Sequence, residues 1–181
     1  MTELALTLAA AAEDRLAVFE RLMRRYERLV LGTALRILGN LPDAQDAAQE
    51  VFLRMYRNLD RIEDPEACAP WLYRITVNVC RDLHRKRPPS VPVDQAGDIA
   101  AETPDPQRLA LLSERQHALN AVLRRLPEKE RAALVLRDLE GLSTAEAAAA
   151  LGSTEATVRS QVARARIKIR ESFERFFGRR P

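Results

Sequence analysis

Between Ser143 and Arg170 the chain reads STAEAAAALGSTEATVRSQVARARIKIR. Ser143 and Glu146 stand at capping-box spacing, which opens a helix, and Gly152 is placed to close it. Val158, Val162, Ala165 and Ile169 then recur at three- and four-residue steps, which predicts a second helix with one apolar seam. From Ser153 to Arg170 there are five Lys or Arg residues, and the only carboxylate is Glu155 at the front edge. Ala148, Gly152 and Val158 occupy the relative positions of a helix-turn-helix: a small residue at the crossing, a glycine for a left-handed turn, an apolar residue to seat the second helix. A basic second helix of that kind suits the major groove of DNA, with its N-terminal end toward the bases. Ser153, Glu155, Thr157, Arg159 and Ser160 are therefore candidate base readers. Arg164, Arg166, Lys168 and Arg170 lie further along, where phosphate contact or pairing between helices is expected.

The rest of the chain agrees with a helical, polyanion-binding protein. Its 181 residues are 46% apolar and 30% charged, with aromatics at 5%, a mix that favours soluble helices. The net charge of +3 is unevenly spread. Residues 1–87 hold 14 basic against 13 acidic residues, residues 88–107 none against four, and residues 108–181 15 against 9. The basic excess thus lies in the same block as the stretch quoted above. Cys68 and Cys80 are too few for a disulfide framework and lack metal-ligand spacing, which fits a reducing cytoplasm. No run approaches the roughly 18 apolar residues of a membrane span, so membrane insertion is not expected. The start, MTELALTLAAAAEDR, has Glu3 in place of a basic leader and reads as a helix start or frayed terminus.

Helical periodicity runs from Asp14 to Leu38 and stops at Gly39–Asn40. A second helix follows in DAQDAAQEVFLRMYRNL, with Asp43 as candidate cap. After a loop from Asp60 to Pro70, WLYRITVNVCRDLHRKR makes a third. PPSVPVDQAGDIAAETPDPQ, with five prolines and only negative charge, reads as a flexible acidic linker over 88–107. Its contour limit is about 65–70 Å at roughly 3.3–3.6 Å per residue. Helices resume at Arg108 and run to Leu126, and Pro127 suits the first turn of the next. The predicted fold is all-α: two small helical domains, 1–87 and 108–181, joined by that linker, the second a helix-turn-helix.

Two constellations mark the first domain. Asp46, Gln49 and Glu50 fall within one helical turn as a polar, acidic patch. On the next helix Trp71, Tyr73, Arg74, Asn78, Arg81, His84, Arg85, Lys86 and Arg87 interleave aromatics, an amide and cations, the combination single-stranded nucleic acid requires. Taken singly, Trp71 reads as a core residue and Asn78 as a surface amide.

Four segments in order, DAQDAAQEVFLRMYRNL, WLYRITVNVCRDLHRKR, LPEKERAALVLRDLEGLSTAEAAAALG and TVRSQVARARIKIRE, resemble a bacterial sigma factor of the extracytoplasmic-function group, from about Phe19 to Glu171. The resemblance implies a promoter-specificity subunit whose partners are core RNA polymerase, promoter DNA and an anti-sigma factor. It implies that Asp46, Gln49, Glu50 and Arg54 bind polymerase. Trp71, Arg74 and Asn78 would melt the minus-ten element and hold a flipped base, an extrusion that costs a few kcal/mol. Arg81, Arg85, Lys86 and Arg87 would hold the backbone nearby. Arg137 matches a position that touches promoter DNA, and the quoted stretch, with Ser153, Glu155, Thr157, Arg159, Ser160 and Arg164, would read the minus-thirty-five element. The chain departs from the common pattern at Ala156, Gln161 and Ala163, where family members carry glycine, a basic residue and a larger side chain. Those departures remove a DNA contact or two.

Two other readings compete: a helix-turn-helix regulator that binds duplex without polymerase, and a sigma mimic that captures an anti-sigma factor. The first lacks a use for DAAQEVF and WLYRI; the second lacks a use for the Arg-rich helix. No phosphate-cradling loop, metal spacing or nucleophile signature is present, so neither a cofactor nor an enzymatic activity is expected. Cys68 lies in the presumed melting loop, where its oxidation would perturb promoter opening.

Overall fold

The computed structural model describes residues 2–62, 64, 67–86 and 118–177, and these are all-α. Helix α1 spans Thr2–Leu38, α2 Leu41–Arg57 and α3 Ala69–Lys86. Helical residues 118–124, labelled α4, lead to α5 (Glu128–Leu134), α6 (Thr144–Leu151) and α7 (Glu155–Phe177). They form two helical clusters, α1–α3 and α4–α7. The predicted linker over 88–107, Arg87 and the predicted helical stretch 108–117 lie outside the described residues.

In the first cluster α1, α2 and α3 pack pairwise on one another. Ala44, Ala47, Ala48, Val51, Phe52 and Met55 give α2 its buried face. They meet Leu22, Tyr26 and Val30 of α1 and Leu72, Val77 and Val79 of α3 in the core. Small alanines on α2 let the helices approach closely, and each buried valine or leucine contributes about 1.5–3 kcal/mol of burial energy.

The break between α1 and α2 corrects one expectation. The cap of α2 is Asn40, not Asp43: Asn40 Oδ1 accepts the Asp43 N–H at 2.9 Å, and Asn40 Nδ2 donates to Asp43 Oδ2 at 2.9 Å. The helix starts three residues earlier than its carboxylate suggests, because Pro42 is tolerated in a first turn that has no intrahelical N–H bond to lose. Pro127 likewise stands at the N-cap of α5 rather than inside it.

The second cluster is built around α7, which packs on α5 and α6. Val158, Val162 and Ala165 are buried along its seam, as their spacing requires. The Ser143 capping box is complete: Glu146 N–H donates to Ser143 Oγ at 3.2 Å, and Ser143 N–H donates to Glu146 Oε2 at 2.7 Å. Those bonds hold the exposed Glu146 carboxyl below the usual range. Gly152 closes α6 at φ 60°, in the left-handed region. After α5 the backbone passes through one π turn, Val135–Leu139, with Glu140 N–H bonded to Val135 O at 2.9 Å. Such wide turns concentrate at functional sites.

Candidate nucleic-acid and polymerase interface

Helix α2 turns its unburied side to solvent. Asp46 and Gln49 are exposed, and Glu50 and Arg54 are half-buried, joined by a 2.7 Å bond from Arg54 Nε to Glu50 Oε1. Leu53 stands between them at 45% exposure, and Tyr56 is exposed one turn on from it. An exposed leucine framed by charges has the make-up of an interface anchor within a polar rim. Sequence reasoning passed over Leu53, although its phase is legible: it falls outside the buried positions 44, 47, 48, 51, 52 and 55. Arg15 fastens α1 to this end of α2. Its guanidinium lies 5.1 Å over the Tyr56 ring, donates to Tyr56 O at 2.9 Å and meets Asp60 at 2.8 Å. Phe19 packs edge-on against Tyr56 with centroids 5.1 Å apart.

On α3, Trp71, Arg74, Asn78, Arg81 and Arg85 follow steps of three and four, so a single helical stripe carries all five. Trp71 is half-buried against the core, Arg74 is exposed and Asn78 is half-buried. Arg81 is half-buried, with Nη2 3.5 Å from Leu151 O in the second cluster. Arg85 is exposed and paired with Asp82 at 2.7 Å, and Lys86 is exposed beyond it. Cys68, just before α3, is buried beside Tyr26. Cys80 is buried on the other side, facing Arg131 and Glu128, and burial pushes its thiol up to about 12. Neither cysteine is a poised nucleophile, since reactivity requires thiolate and access.

In the second cluster Glu155, Thr157, Arg159, Ser160 and Arg164 are exposed on the first turns of α7, and Ser153 is half-buried in the turn before it. Thr154 Oγ1 accepts the Thr157 N–H at 3.2 Å and so caps α7. Arg159 is held back along its own helix by Glu155 at 3.1 Å. Arg137, in the π turn, donates from Nε to Thr144 Oγ1 at 3.2 Å and from Nη1 to Leu142 O at 3.0 Å. A groove of about 230 Å³ is lined by Arg137, Thr144, Val158, Arg159, Val162, Ala163 and Arg166. It brings Arg137 to the same surface as Arg159, although 22 residues part them in sequence. The guanidiniums of Arg137 and Arg159 on one groove fit a phosphate backbone.

Arg166 and Lys168 mostly serve the fold. Arg166 grips Asp138 with two bonds of 2.9 and 2.8 Å, which raise its pKa, and Lys168 donates to both oxygens of Glu130 at 2.9 and 2.8 Å. Among the described residues no three or more His, Cys, Asp or Glu converge on a metal site, and no helix is long and apolar enough to cross a membrane.

Comparison with known proteins is consistent along the chain. Sigma-70 region 2 matches residues 22–88, and Sigma-70 region 4 matches residues 116–169. The ECF RNA polymerase sigma factor SigE of Mycolicibacterium smegmatis is 37% identical over 84% of this chain, which spans 60% of that protein's length. The RNA polymerase sigma-H factor of Pseudomonas aeruginosa is 34% identical over 86% of both chains. The ECF RNA polymerase sigma-E factor of Escherichia coli is 35% identical over 82% of each. Among solved structures, CnrH in complex with the cytosolic domain of CnrY superposes with a TM-score of 0.62 at 28% identity, covering 92% of this chain and 94% of that one. The sigma factor RpoE from Bartonella quintana, in complex with the anti-sigma factor NepR, shares the fold with a TM-score of 0.60 at 21% identity, over 90% of this chain and 95% of that one.

Proposed function

The chain belongs to the ECF sigma factors of the sigma-70 superfamily, and on that premise we propose that it binds core RNA polymerase and directs promoter-specific transcription initiation. The observation that carries the DNA half of this reading is the face of α7: Glu155, Thr157, Arg159, Ser160 and Arg164 stand exposed beyond a left-handed Gly152, with Arg137 on the same groove.

In this reading residues 1–87 form the polymerase-binding and minus-ten domain, 88–107 an acidic tether, and 108–181 the minus-thirty-five domain. The solvent face of α2, with Asp46, Gln49, Glu50, Leu53 and Arg54, docks on polymerase. Charged rim residues orient the encounter while Leu53 is desolvated at the centre. The α3 stripe takes the opened non-template strand. Arg81, Arg85, Lys86 and Arg87 hold phosphates, and Asn78 reads a base flipped from the stack beside Trp71 and Arg74. Helices α6 and α7 act as a helix-turn-helix, with α7 as the recognition helix in the major groove. An Arg can fork onto guanine O6 and N7, and Glu155 can accept from a cytosine amino group. An anti-sigma factor is the third partner in this scheme, supported by family membership and by the complexed state of the solved relatives.

Transcription in vitro tests the proposal. The purified chain and bacterial core polymerase, on fragments of the source genome, should yield transcripts that start downstream of a shared two-part motif and vanish without the chain. Tight operator binding without polymerase and no transcripts with it would overturn the reading.

A further inference from the structure

Arg137 differs from the other arginines of its groove in what holds it. Arg166 is bound twice by the Asp138 carboxylate, and Arg159 lies against Glu155, so each faces a group that offsets its charge. The acceptors of Arg137 are neutral: Thr144 Oγ1 takes the Nε–H at 3.2 Å, and Leu142 O takes an Nη1–H at 3.0 Å. A guanidinium has five N–H donors. These two bonds therefore leave three donors, two of them on Nη2, and neither bond neutralises the charge.

Both acceptors are themselves fixed. Leu142 is buried, and its N–H bonds to Leu136 O at 3.1 Å, back in the π turn that carries Arg137. Gly141 makes the reversal between them at φ 76°, in the left-handed region. Thr144 is the first residue of α6 and follows Ser143, whose capping box sets where that helix starts. Asp138, next to Arg137 in the π turn, grips Arg166 of α7. Arg137 thus stands on a framework tied to both helices of the helix-turn-helix.

Thr144 is half-buried and lines the same groove as Arg137 and Arg159. We infer that Thr144 is a positioning residue: its hydroxyl, with the Leu142 carbonyl, orders the Arg137 guanidinium at the groove before DNA arrives, so that the remaining donors meet a promoter phosphate already in place. This deepens the promoter-reading function above and rests on it. A mobile arginine loses rotamer freedom when it binds, and ordering it beforehand removes that cost, about two- to tenfold in affinity for one side chain. The charge that releases counterions belongs to Arg137 and sets the salt dependence. Thr144 acts only through it.

Two measurements test this. In the free full chain, proton–nitrogen correlation spectra of the arginine side chains follow the Arg137 Nε–H, identified by its loss in Arg137→Ala. Its order parameter should approach the rigid value of about 0.85 and fall below about 0.6 in Thr144→Val, which keeps the branched shape and removes the hydroxyl. Thr144→Ser, which restores the hydroxyl, should restore the order. The second measurement is binding of the holoenzyme, across a salt series, to a promoter recovered by the transcription test above. Arg137→Ala should lower the salt slope by about one. Thr144→Val should weaken binding about two- to tenfold with the slope retained, and Thr144→Ser should regain most of that loss. In the Arg137→Ala background Thr144→Val should cost nothing more, because the two residues act as one unit. A Thr144→Val loss that persists undiminished in that background would overturn the inference, since the threonine would then touch DNA itself or serve the fold. So would a mobile Arg137 Nε–H in the wild type, or unchanged promoter affinity despite a loosened Arg137; these outcomes leave the promoter-reading function standing. Failure to recover any promoter would instead remove that function, and this inference with it.

Discussion

Arg159→Ala separates base reading from general DNA affinity, because the structure limits what else the side chain does. Arg159 and Glu155 are both exposed, their side chains 64% and 51% accessible, and meet at 3.1 Å along one helix. A solvated pair of that kind contributes about 0.3–0.5 kcal/mol. The melting temperature of a chain this size should therefore fall by only about 1–2 °C. Binding is another matter. If Arg159 forks onto a guanine, its loss removes about 1–3 kcal/mol at one promoter position, roughly 5- to 150-fold. The assay is holoenzyme binding and transcription on a promoter series with each minus-thirty-five base pair changed in turn. The expected result is a loss on the parent promoter and flattened discrimination at one position, with the others still discriminated. A uniform loss across the series, with the salt slope reduced by about one, would assign Arg159 to phosphate. No loss at all would remove α7 as the reader.

Leu53→Asp should leave the thermal stability within about 0.5 kcal/mol, since the side chain is already exposed, and should weaken polymerase binding by at least tenfold in a pull-down titration; unaltered affinity would detach the α2 face from polymerase. Gly152→Ala meets no atom within 4 Å, so its cost is backbone strain alone, about 1–2 kcal/mol at positive φ; a chemical melt identical to wild type would refute that account. Ser143→Ala should cost about 1 kcal/mol. It should also change the pH profile. The Glu146 carboxyl is held below its ordinary value by Ser143, so its contribution is complete above the normal Glu range of about 4.3 and fades as pH falls through its depressed value. Urea melts at neutral and acid pH should show the wild type losing more stability than the variant, and parallel profiles would contradict the capping role.

Much of this molecule is local physics and is therefore legible in the chain. The Ser143–Glu146 box, the left-handed Gly152 and the Val158–Val162–Ala165 seam depend on residues within a turn or two of each other, and spacing alone predicts them. The α3 stripe from Trp71 to Arg85 follows from helical period in the same way. At the start of α2 the sequence points to Asp43 and marks Asn40 only as the stop of α1; the cap goes to Asn40, the residue that lets Pro42 enter the first turn. The π turn at Val135–Leu139 left no mark in the sequence, because an extra residue in a turn is selected by what packs on either side.

What tertiary structure alone decided is which distant groups meet. Arg137 and Arg159 share a groove because α5 and α6 fold back on α7. By sequence Arg166 and Lys168 are open to phosphate contact or to pairing between helices; the fold decides for pairing, with Asp138 and Glu130, 28 and 38 residues away. Glu140 has no local feature to distinguish it from any solvated glutamate. It becomes the junction of two clusters only when Arg36 and Tyr73, 104 and 67 residues distant, converge on it. Period and capping are short-range and are written in order along the chain, whereas charge pairing across a seam depends on positions that only the packed helices supply.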